Sequence, residues 1–477
     1  MTILALLAGT FYGLVIGIIP SAGATTGLVA MFSFISYFSH DPYLGVIFCM
    51  AVVAASTTGD TYSGVLLGIP GANSAAATMV DGFPLAKQGK ATYAITAAVT
   101  TSTVNGILWG FLVFAFLPFY VELVMYLGVP ELWGLLMLAM ATVSFVSNKY
   151  WFRSMIAIAF GLFLGMIGVD PYTNADRWTF GWGYLADSIQ IMPMVAGLYA
   201  IPELVDGLKT RNSTAKRVVD ELQQTKDGIK AAWVYKWDAL RGGAIGAIIG
   251  FLPGLGGAMC DWMAYGSTVA ANPNEKFGNG NIRGVIGPEG ANNAQKATSM
   301  IPTVLFGIPG ASFAAVLMAL FMSLGFELGT PDLAYDTKFF DSMIYGFMWA
   351  TVLVGFICVF ATRYIARITL IPYKLYFPLL LAFVVWSCVQ YTGGWEDYAI
   401  LFLCSLIGIV AKRYKFSRPA LLLAFILSEK IEKQTLQVMS LYDLNSLVNR
   451  PIFMAIVVAI LVTAVWGIRK QSKIDYA

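Results

Sequence analysis

The sequence predicts an all-α polytopic membrane protein built from two pseudo-symmetric repeats, with broken or re-entrant helices at Pro-Gly motifs. Three observations predict it. Hydrophobic residues fill 58% of the 477 positions and charged residues only 12%, with mean hydropathy +0.71, whereas an ordinary soluble domain carries about 25% charged residues. Apolar runs recur at the roughly 20-residue length a spanning helix needs. Finally, one stretch is written twice. The clearer copy reads Pro253-Gly254-Leu-Gly256, then Gly287-Pro288-Glu289-Gly-Ala-Asn292-Asn293, then Gly307-Ile-Pro309-Gly310-Ala-Ser312. The other reads Pro20-Ser21-Ala-Gly23, then Gly68-Ile-Pro70-Gly71-Ala-Asn73. Proline removes a helical hydrogen bond, and glycine permits backbone shapes other residues resist. Inside a bilayer such freed backbone survives only where protein buries it or where it lines a wet cavity. Interrupted segments at matching places in two halves are the best sequence pointer to a transporter's binding site. Inversion of the repeats, the commoner solution, is the expectation.

In chain order, candidate spans run over 3–36 (broken at Pro20), 43–82 (broken near Thr58–Thr61 and at Pro70), 91–121, 130–148, 152–169 and 188–206. The charged stretch from Lys209 to Lys236 follows and reads as a partly helical cytoplasmic linker. Then come 239–270 (broken at Pro253), 282–328 (broken at Pro302 and Pro309), 339–362, 371–392, 396–411, a short run at 419–428, and 450–468. The domain reading is a first membrane repeat at 1–208, the linker at 209–237, a second repeat at 238–430, and a connecting segment with a C-terminal transmembrane helix at 431–477. Basic clusters at Arg363/Arg367/Lys374, Lys412/Arg413/Lys415/Arg418 and Arg469/Lys470/Lys473 read as cytoplasmic. Trp151, Trp178, Trp182 and Trp395 read as interfacial anchors. The apolar start lacks a basic region and cleavage site, so no cleaved signal peptide is expected. Asp81–Ala91 reads as a turn and amphipathic helix entry, and Asp170–Gly181 as a loop, both structural connectors.

Small polar residues followed by alanines after each Gly-Ile-Pro-Gly make a capped helix start, whose free amides and positive dipole end attract anions. Two such ends facing each other would suit a substrate with two or more carboxylates. An isolated Pro-Gly break reads more simply as a packing kink; duplication at matched spacing favours the ligand reading. The expected substrate-binding set is Ser21, Gly23, Gly71, Asn73, Ser74, Gly254, Asn292, Asn293, Gly310 and Ser312. Thr57, Thr58, Asp60, Thr61 and Thr303 are the ion-coupling candidates. An intramembrane acid is expensive and functional by default, and unwound carbonyls with threonine hydroxyls would give a hard cation its oxygens. A structural ion pair or helix cap is the competing role for Asp60. Glu289 and Lys296, seven apart, read as a pair on one helix face, while Asp261 and Arg283 are placed at the membrane edge with no role.

Other classes are disfavoured. The single His40 permits no nucleophile–His–acid set, and no GxxxxGK[ST] loop points to ATP. The five cysteines form no CxxC pair, so neither a metal site nor a disulfide framework is expected. No cofactor is expected beyond sodium or a proton as coupling ion. The net charge of +3 is spread between apolar runs and gives no reason to expect nucleic acid.

These motifs resemble the large membrane subunit of the tripartite tricarboxylate transporters. The resemblance rests on Pro20–Gly23, Ile69–Gly71, Thr78–Ala91, Asp170–Gly181, Pro253–Gly256, Phe277–Ala294, Gly307–Gly310 and a tail from Arg418-Pro419 to Arg450-Pro451. It implies the permease of an ion-driven importer of small di- or tricarboxylates, multi-pass in the bacterial cytoplasmic (inner) membrane. Its implied partners are a periplasmic solute-binding protein and a small membrane subunit of about four spans. Ser21 stands where the family's first motif has glycine, and Thr58–Gly64, Gly68 and Glu327–Pro331 also depart; these bear on the substrate more than on the fold. The alternative is a stand-alone secondary transporter or channel-like carrier for another small solute. A scaffold without transport is disfavoured by the duplicated breaks.

Overall fold

The structure, a computed structural model, describes residues 1–19, 23–68, 75–145, 151–170, 175–209, 221–252, 256–368, 373–389 and 394–475. Helices dominate it. The first group is α1 (Thr2–Ile18), α2 (Gly23–Met31), α3 (Pro42–Leu67) and α4 (Ala76–Lys87), followed by α5 (Ala91–Ala115). Next come α6 (Leu117–Met125), α7 (Val129–Phe145), α8 (Trp151–Gly165), a hairpin of β1 (Gly168–Val169) and β2 (Asp176–Arg177), α9 (Gly183–Ala186), and α10 (Ile191–Val195) running through a π-helical turn into α11 (Ile201–Lys209). The charged stretch contributes α12 (Glu221–Val234), which lies along α5.

The second group is α13 (Lys236–Gly250), α14 (Gly256–Ala271), α15 (Arg283–Leu305) and α16 (Ser312–Ser323). After these come α17 (Pro331–Ala334), α18 (Thr337–Ile368), α19 (Tyr373–Val389), α20 (Glu396–Arg413), α21 (Arg418–Leu441), α22 (Leu444–Val448) and α23 (Pro451–Asp475). Among the described residues, Pro42–Leu67, Ala91–Ala115 and Thr337–Thr362 are long and apolar enough to cross a membrane. Shorter apolar helices include Thr2–Ile18, Val129–Phe145, Trp151–Gly165 and Ser312–Ser323.

Glycine stripes set the packing of both groups. On α1, Gly9, Gly13 and Gly17 lie against the α3 backbone at Phe48, Val52 and Ser56; a Cβ on Gly9 or Gly13 would stand 2.7 Å from the opposing carbonyl oxygen. On α13, Gly242, Gly246 and Gly250 lie against α15 at Gly287, Ala291 and Gln295. Every α13 position is 233 residues beyond its α1 counterpart, as Pro253 is beyond Pro20. Every α15 position is 239 beyond its α3 counterpart, as the second Gly-Ile-Pro-Gly is beyond the first. Small residues let helix backbones approach closely where lipid supplies no hydrophobic drive between helices. Helices from the two groups pair crosswise. Helix α2 packs on α16, α4 packs on α14, α5 lies on α15, and α18 lies on α3.

A second body joins 129–209 to 373–475, with α7 against α23 and α8 against α21. Arg450 bridges Glu131 at 2.7 Å, Arg177 bridges Glu432 at 2.6 Å, and Lys412 pairs with Asp206. Gly161 and Gly165 of α8 admit the α21 backbone at Leu421 and Phe425.

Several expected breaks differ. Helix α3 runs unbroken through Thr58–Thr61, because Ser56, Thr57, Thr58 and Ser63 turn their hydroxyls back onto carbonyls of their own helix. Such back-bonding satisfies a hydroxyl in an apolar setting without opening the helix. Helix α15 likewise continues through Pro288 and Pro302 and stops only at Leu305, where the Pro302 carbonyl accepts from the Phe306 and Ile308 amides at 3.2 and 3.0 Å. Asp81–Lys87 is helical, with the turn confined to Gln88–Lys90. The run 91–121 divides at Phe116.

The stripe contacts predict the effect of filling them. Gly246→Ala should overpack α13 on α15 and cost about 1–3 kcal/mol, read as a lower unfolding temperature in detergent. Gly266→Ala, where a Cβ meets nothing within 4 Å, should leave that temperature unchanged or raise it. Equal behaviour of the two would contradict the close approach.

Candidate functional site: a buried charged cluster

Four ionisable side chains come together where α3, α4, α14 and α15 meet. Asp60 is 1% exposed, Asp261 1%, Glu289 0% and Lys296 5%. Thr61 Oγ1 donates to Glu289 Oε1 at 3.1 Å, and Thr78 of α4 also hydrogen-bonds this carboxylate. Glu289 Oε2 and both oxygens of Asp261 have no hydrogen-bond partner among the described residues. The Asp261 charge acts on those of Glu289, Lys296 and Asp60, and Lys296 in turn feels Asp60 and Asp261. The Lys296 ammonium sits 4.1 Å from the ring centroid of Phe313, in the first turn of α16. The cation therefore lies beside a helix start whose dipole carries the same sign.

The expected coupling residues divide. Asp60 and Thr61 belong to the cluster. Thr57 and Thr58 instead donate to Val53 and Ala54 at 2.7 and 3.4 Å, so the unwound oxygen cage expected around Asp60 is not what α3 builds. Thr303 donates to the Ser299 carbonyl at 2.6 Å and accepts from the Gly310 amide at 3.4 Å, holding the second Pro-Gly turn onto α15.

Of the expected substrate residues, Ser21, Gly71, Asn73, Ser74 and Gly254 lie outside the described residues. Gly23 opens α2, and Gly310 sits against Ser299 and the Gly250 carbonyl. Asn293 Nδ2 reaches the Ser102 carbonyl of α5 at 3.4 Å. Both amide atoms of Asn292, 2% exposed, have no partner among the described residues. Ser312 does not cap α16, whose N-cap is Ala311 with no side-chain bond; it borders a small cleft with Tyr199 and Pro419. Helix α4 is seated on α14 and α16 on α2, while the first expected helix start, at Gly71–Ser74, lies outside the described residues.

Two further expectations are corrected. Glu289 and Lys296 do not form the expected pair, because Glu289 is engaged by Thr61 and Lys296 reaches Phe313. Asp261 is interior rather than peripheral. Its sequence signal was present, a single acid in the apolar run Met259-Cys260-Asp261-Trp262, the same signal that singled out Asp60. Arg283 does lie at the periphery, bridging Asp238 at 3.0 Å and Glu275 at 2.6 Å under the Tyr235 ring.

Asp81 holds one wall in place. Its Oδ1 accepts from the amides of Gly278, Gly280 and Asn281 at 2.8, 2.9 and 2.9 Å, and its Oδ2 from the Tyr265 hydroxyl at 3.0 Å. One carboxylate from the first group thus fixes the loop between α14 and α15 in the second.

The fold and this cluster define a multi-helix membrane protein with ionisable groups buried in its interior, the setting in which such groups mark solute or ion pathways. The chain belongs to the tripartite tricarboxylate transporter TctA family, which matches residues 3–423. It is similar to an uncharacterised 52.8 kDa protein of the TAR-I ttuC′ 3′ region of Agrobacterium vitis, 26% identical over 437 residues, covering 89% of this chain and 84% of that protein. It also resembles an uncharacterised protein of the TAR-II ttuC′ 3′ region of the same organism, 28% identical over 211 residues, covering 43% of this chain and 87% of that protein. No solved structure matches. The family is one of transporters rather than enzymes, and it works as part of a tripartite system.

Asp81→Ala should leave the amides of Gly278, Gly280 and Asn281 without their shared acceptor. Hydrogen–deuterium exchange at 278–281 should accelerate, with Asp81→Asn in between. Unchanged exchange would show that the carboxylate does not hold the loop.

Proposed function

We propose that the chain is the permease subunit of a binding-protein-dependent secondary importer of small di- or tricarboxylates, driven by a sodium or proton gradient across the bacterial inner membrane. The observation that carries this reading is the cluster of Asp60, Asp261, Glu289 and Lys296, buried where helices from distant parts of the chain meet. Charges so buried are costly, and in membrane proteins they mark ion and solute pathways. A gradient-driven carrier needs both a place for a cation and a place for its anionic solute.

The two repeats, 1–208 and 238–430 about the 209–237 linker, are supported by the matched glycine stripes and their constant offsets. Residues 431–477 would add the connecting segment and last spanning helix. The carboxylate subsite is placed at the start of α16. Amides following Gly310 and beside Ser312 point outward from a positive helix end, and Lys296 reinforces that end from α15. Asn292 and Asn293 supply further donors, and Gly23, with Ser21, Gly71, Asn73, Ser74 and Gly254, completes the proposed set at the other breaks. Asp60 and Thr61 serve the coupling side, with Thr57, Thr58 and Thr303 shaping the helices that carry them. The remaining partners of the proposal are a periplasmic solute-binding protein and a small membrane subunit.

Uptake in proteoliposomes, with the partner proteins added and sodium or proton gradients imposed over a panel of carboxylates, tests the reading. Uptake should require both a gradient and the binding protein; full transport by this chain alone would overturn it. Gly310→Val, whose added side chain meets Ser299 and the Gly250 carbonyl, should lower uptake at least about tenfold, the effect of about 1.4 kcal/mol, while the protein stays in the membrane. Normal uptake would remove the α16 start from the site. Asp60→Asn should flatten the dependence on the driving ion; curves matching the parent in both sodium and pH titrations would exclude Asp60 from coupling.

A further inference from the structure

We propose that the coupling ion at this cluster is a proton, carried by Asp261 and Glu289, with Lys296 as the fixed internal counter-charge. The proposal rests on the importer reading and names the ion that reading leaves open.

Charge balance is the first argument. Among the described residues, Asp261 and Glu289 are buried and Lys296 is the cation whose charge acts on Asp261, so the acids of the cluster outnumber its ammonium. A buried carboxylate without a compensating cation neutralises itself instead by taking up a proton. Hydrogen bonding points to which groups do so. Glu289 Oε2 and both Asp261 oxygens are buried acceptors with no donor among the described residues. Protonation turns either acid into a donor and supplies what the arrangement lacks.

The surroundings also favour a proton over a metal ion. A hard cation needs several oxygens converging on one point. Helix α3 stays wound, so its carbonyls remain in the helical ladder, and Thr57 and Thr58 are turned onto that same helix. Among the described residues, no three acids lie close enough together to hold one metal ion.

The groups facing the pair come from every neighbouring helix. Asp60 and Thr61 approach from α3 and Thr78 from α4. Cys260 neighbours Asp261 on α14, and Lys296 lies on α15 with its ammonium under Phe313 of α16. Asp81 of α4 is committed to the 278–281 loop, and Asp238 of α13 to Arg283. Lys296 opposes Asp60 and Asp261 electrostatically, so a proton on the acids leaves its positive charge less compensated and more available to a carboxylate at the α16 start. The cycle balances simply: a proton from water on the outer side bonds to a carboxylate oxygen, and the O–H bond breaks to water on the inner side.

Labelling by N,N′-dicyclohexylcarbodiimide, which reacts with protonated carboxyl groups in apolar surroundings, tests this without knowledge of the substrate. On the purified full-length protein, mass spectrometry should find the adduct on Asp261 or Glu289. Labelling should fall as pH is raised from about 5 to about 9, because only the protonated carboxyl reacts, and replacing potassium by sodium should change nothing. Lys296→Gln removes the positive charge that favours ionised acids, so labelling should persist to a higher pH, and Lys296→Arg should restore the original profile. Protection by sodium, labelling independent of pH, or a folded protein with neither residue labelled would overturn the proposal. Proteoliposome uptake separates the two claims. Correct labelling without carboxylate uptake defeats the importer reading alone, whereas sodium-driven uptake without labelling defeats the proton alone.

Discussion

Burying three carboxylates and an ammonium in a protein made largely of apolar helices is the constraint on which the rest depends. No single helix could hold these groups, because each would face lipid or apolar side chains without compensation. Here α3 supplies Asp60 and Thr61, α4 supplies Thr78, α14 supplies Asp261, and α15 supplies Glu289 and Lys296. Each helix covers groups belonging to another. The charges therefore persist only while the four remain assembled, and a small displacement of one helix alters the environment of all of them. That sensitivity is what a gradient-driven carrier exploits.

Assembly is achieved by close backbone approach. Glycines at every fourth position on α1 and α13 let these helices lie directly on α3 and α15. The long helices can then be closely supported on one face and present polar groups on another. The crosswise seating of α2 on α16 and of α4 on α14 joins early and late parts of the chain. The two pairs are chemically unequal. The 239-residue offset sets Asp60 opposite Ser299, Glu289 opposite Met50 and Lys296 opposite Thr57. Similar packing thus yields one charged junction and a counterpart without those charges.

Much of this was legible in the sequence. The all-helical class followed from composition and run length, and the family from a set of motifs spread along the chain. Asp60 and Thr61 stood out as polar residues in an apolar run and do lie in the cluster. Asp261 carried the same signal but was assigned to an edge, since sequence alone does not give depth. The break expected at Thr58–Thr61 does not occur, because Ser56, Thr57, Thr58 and Ser63 bond to their own helix and leave it intact. Pro302 misled similarly, for the helix tolerates it one turn before its end. The crosswise pairing was not legible at all. It depends on how distant segments are threaded, and no local pattern records that.

Currents recorded on a solid-supported membrane test the central claim most directly, that these buried charges couple ion movement to carboxylate movement. Vesicles containing the protein and its partners would be given a rapid jump of citrate as probe, with the pH gradient set beforehand and sodium absent. The account predicts a transient current that grows with the imposed pH gradient and is lost when Asp261→Asn and Glu289→Gln are combined in a protein that remains folded. A carboxylate-dependent current of undiminished size in that double variant, with the same dependence on pH, would contradict it.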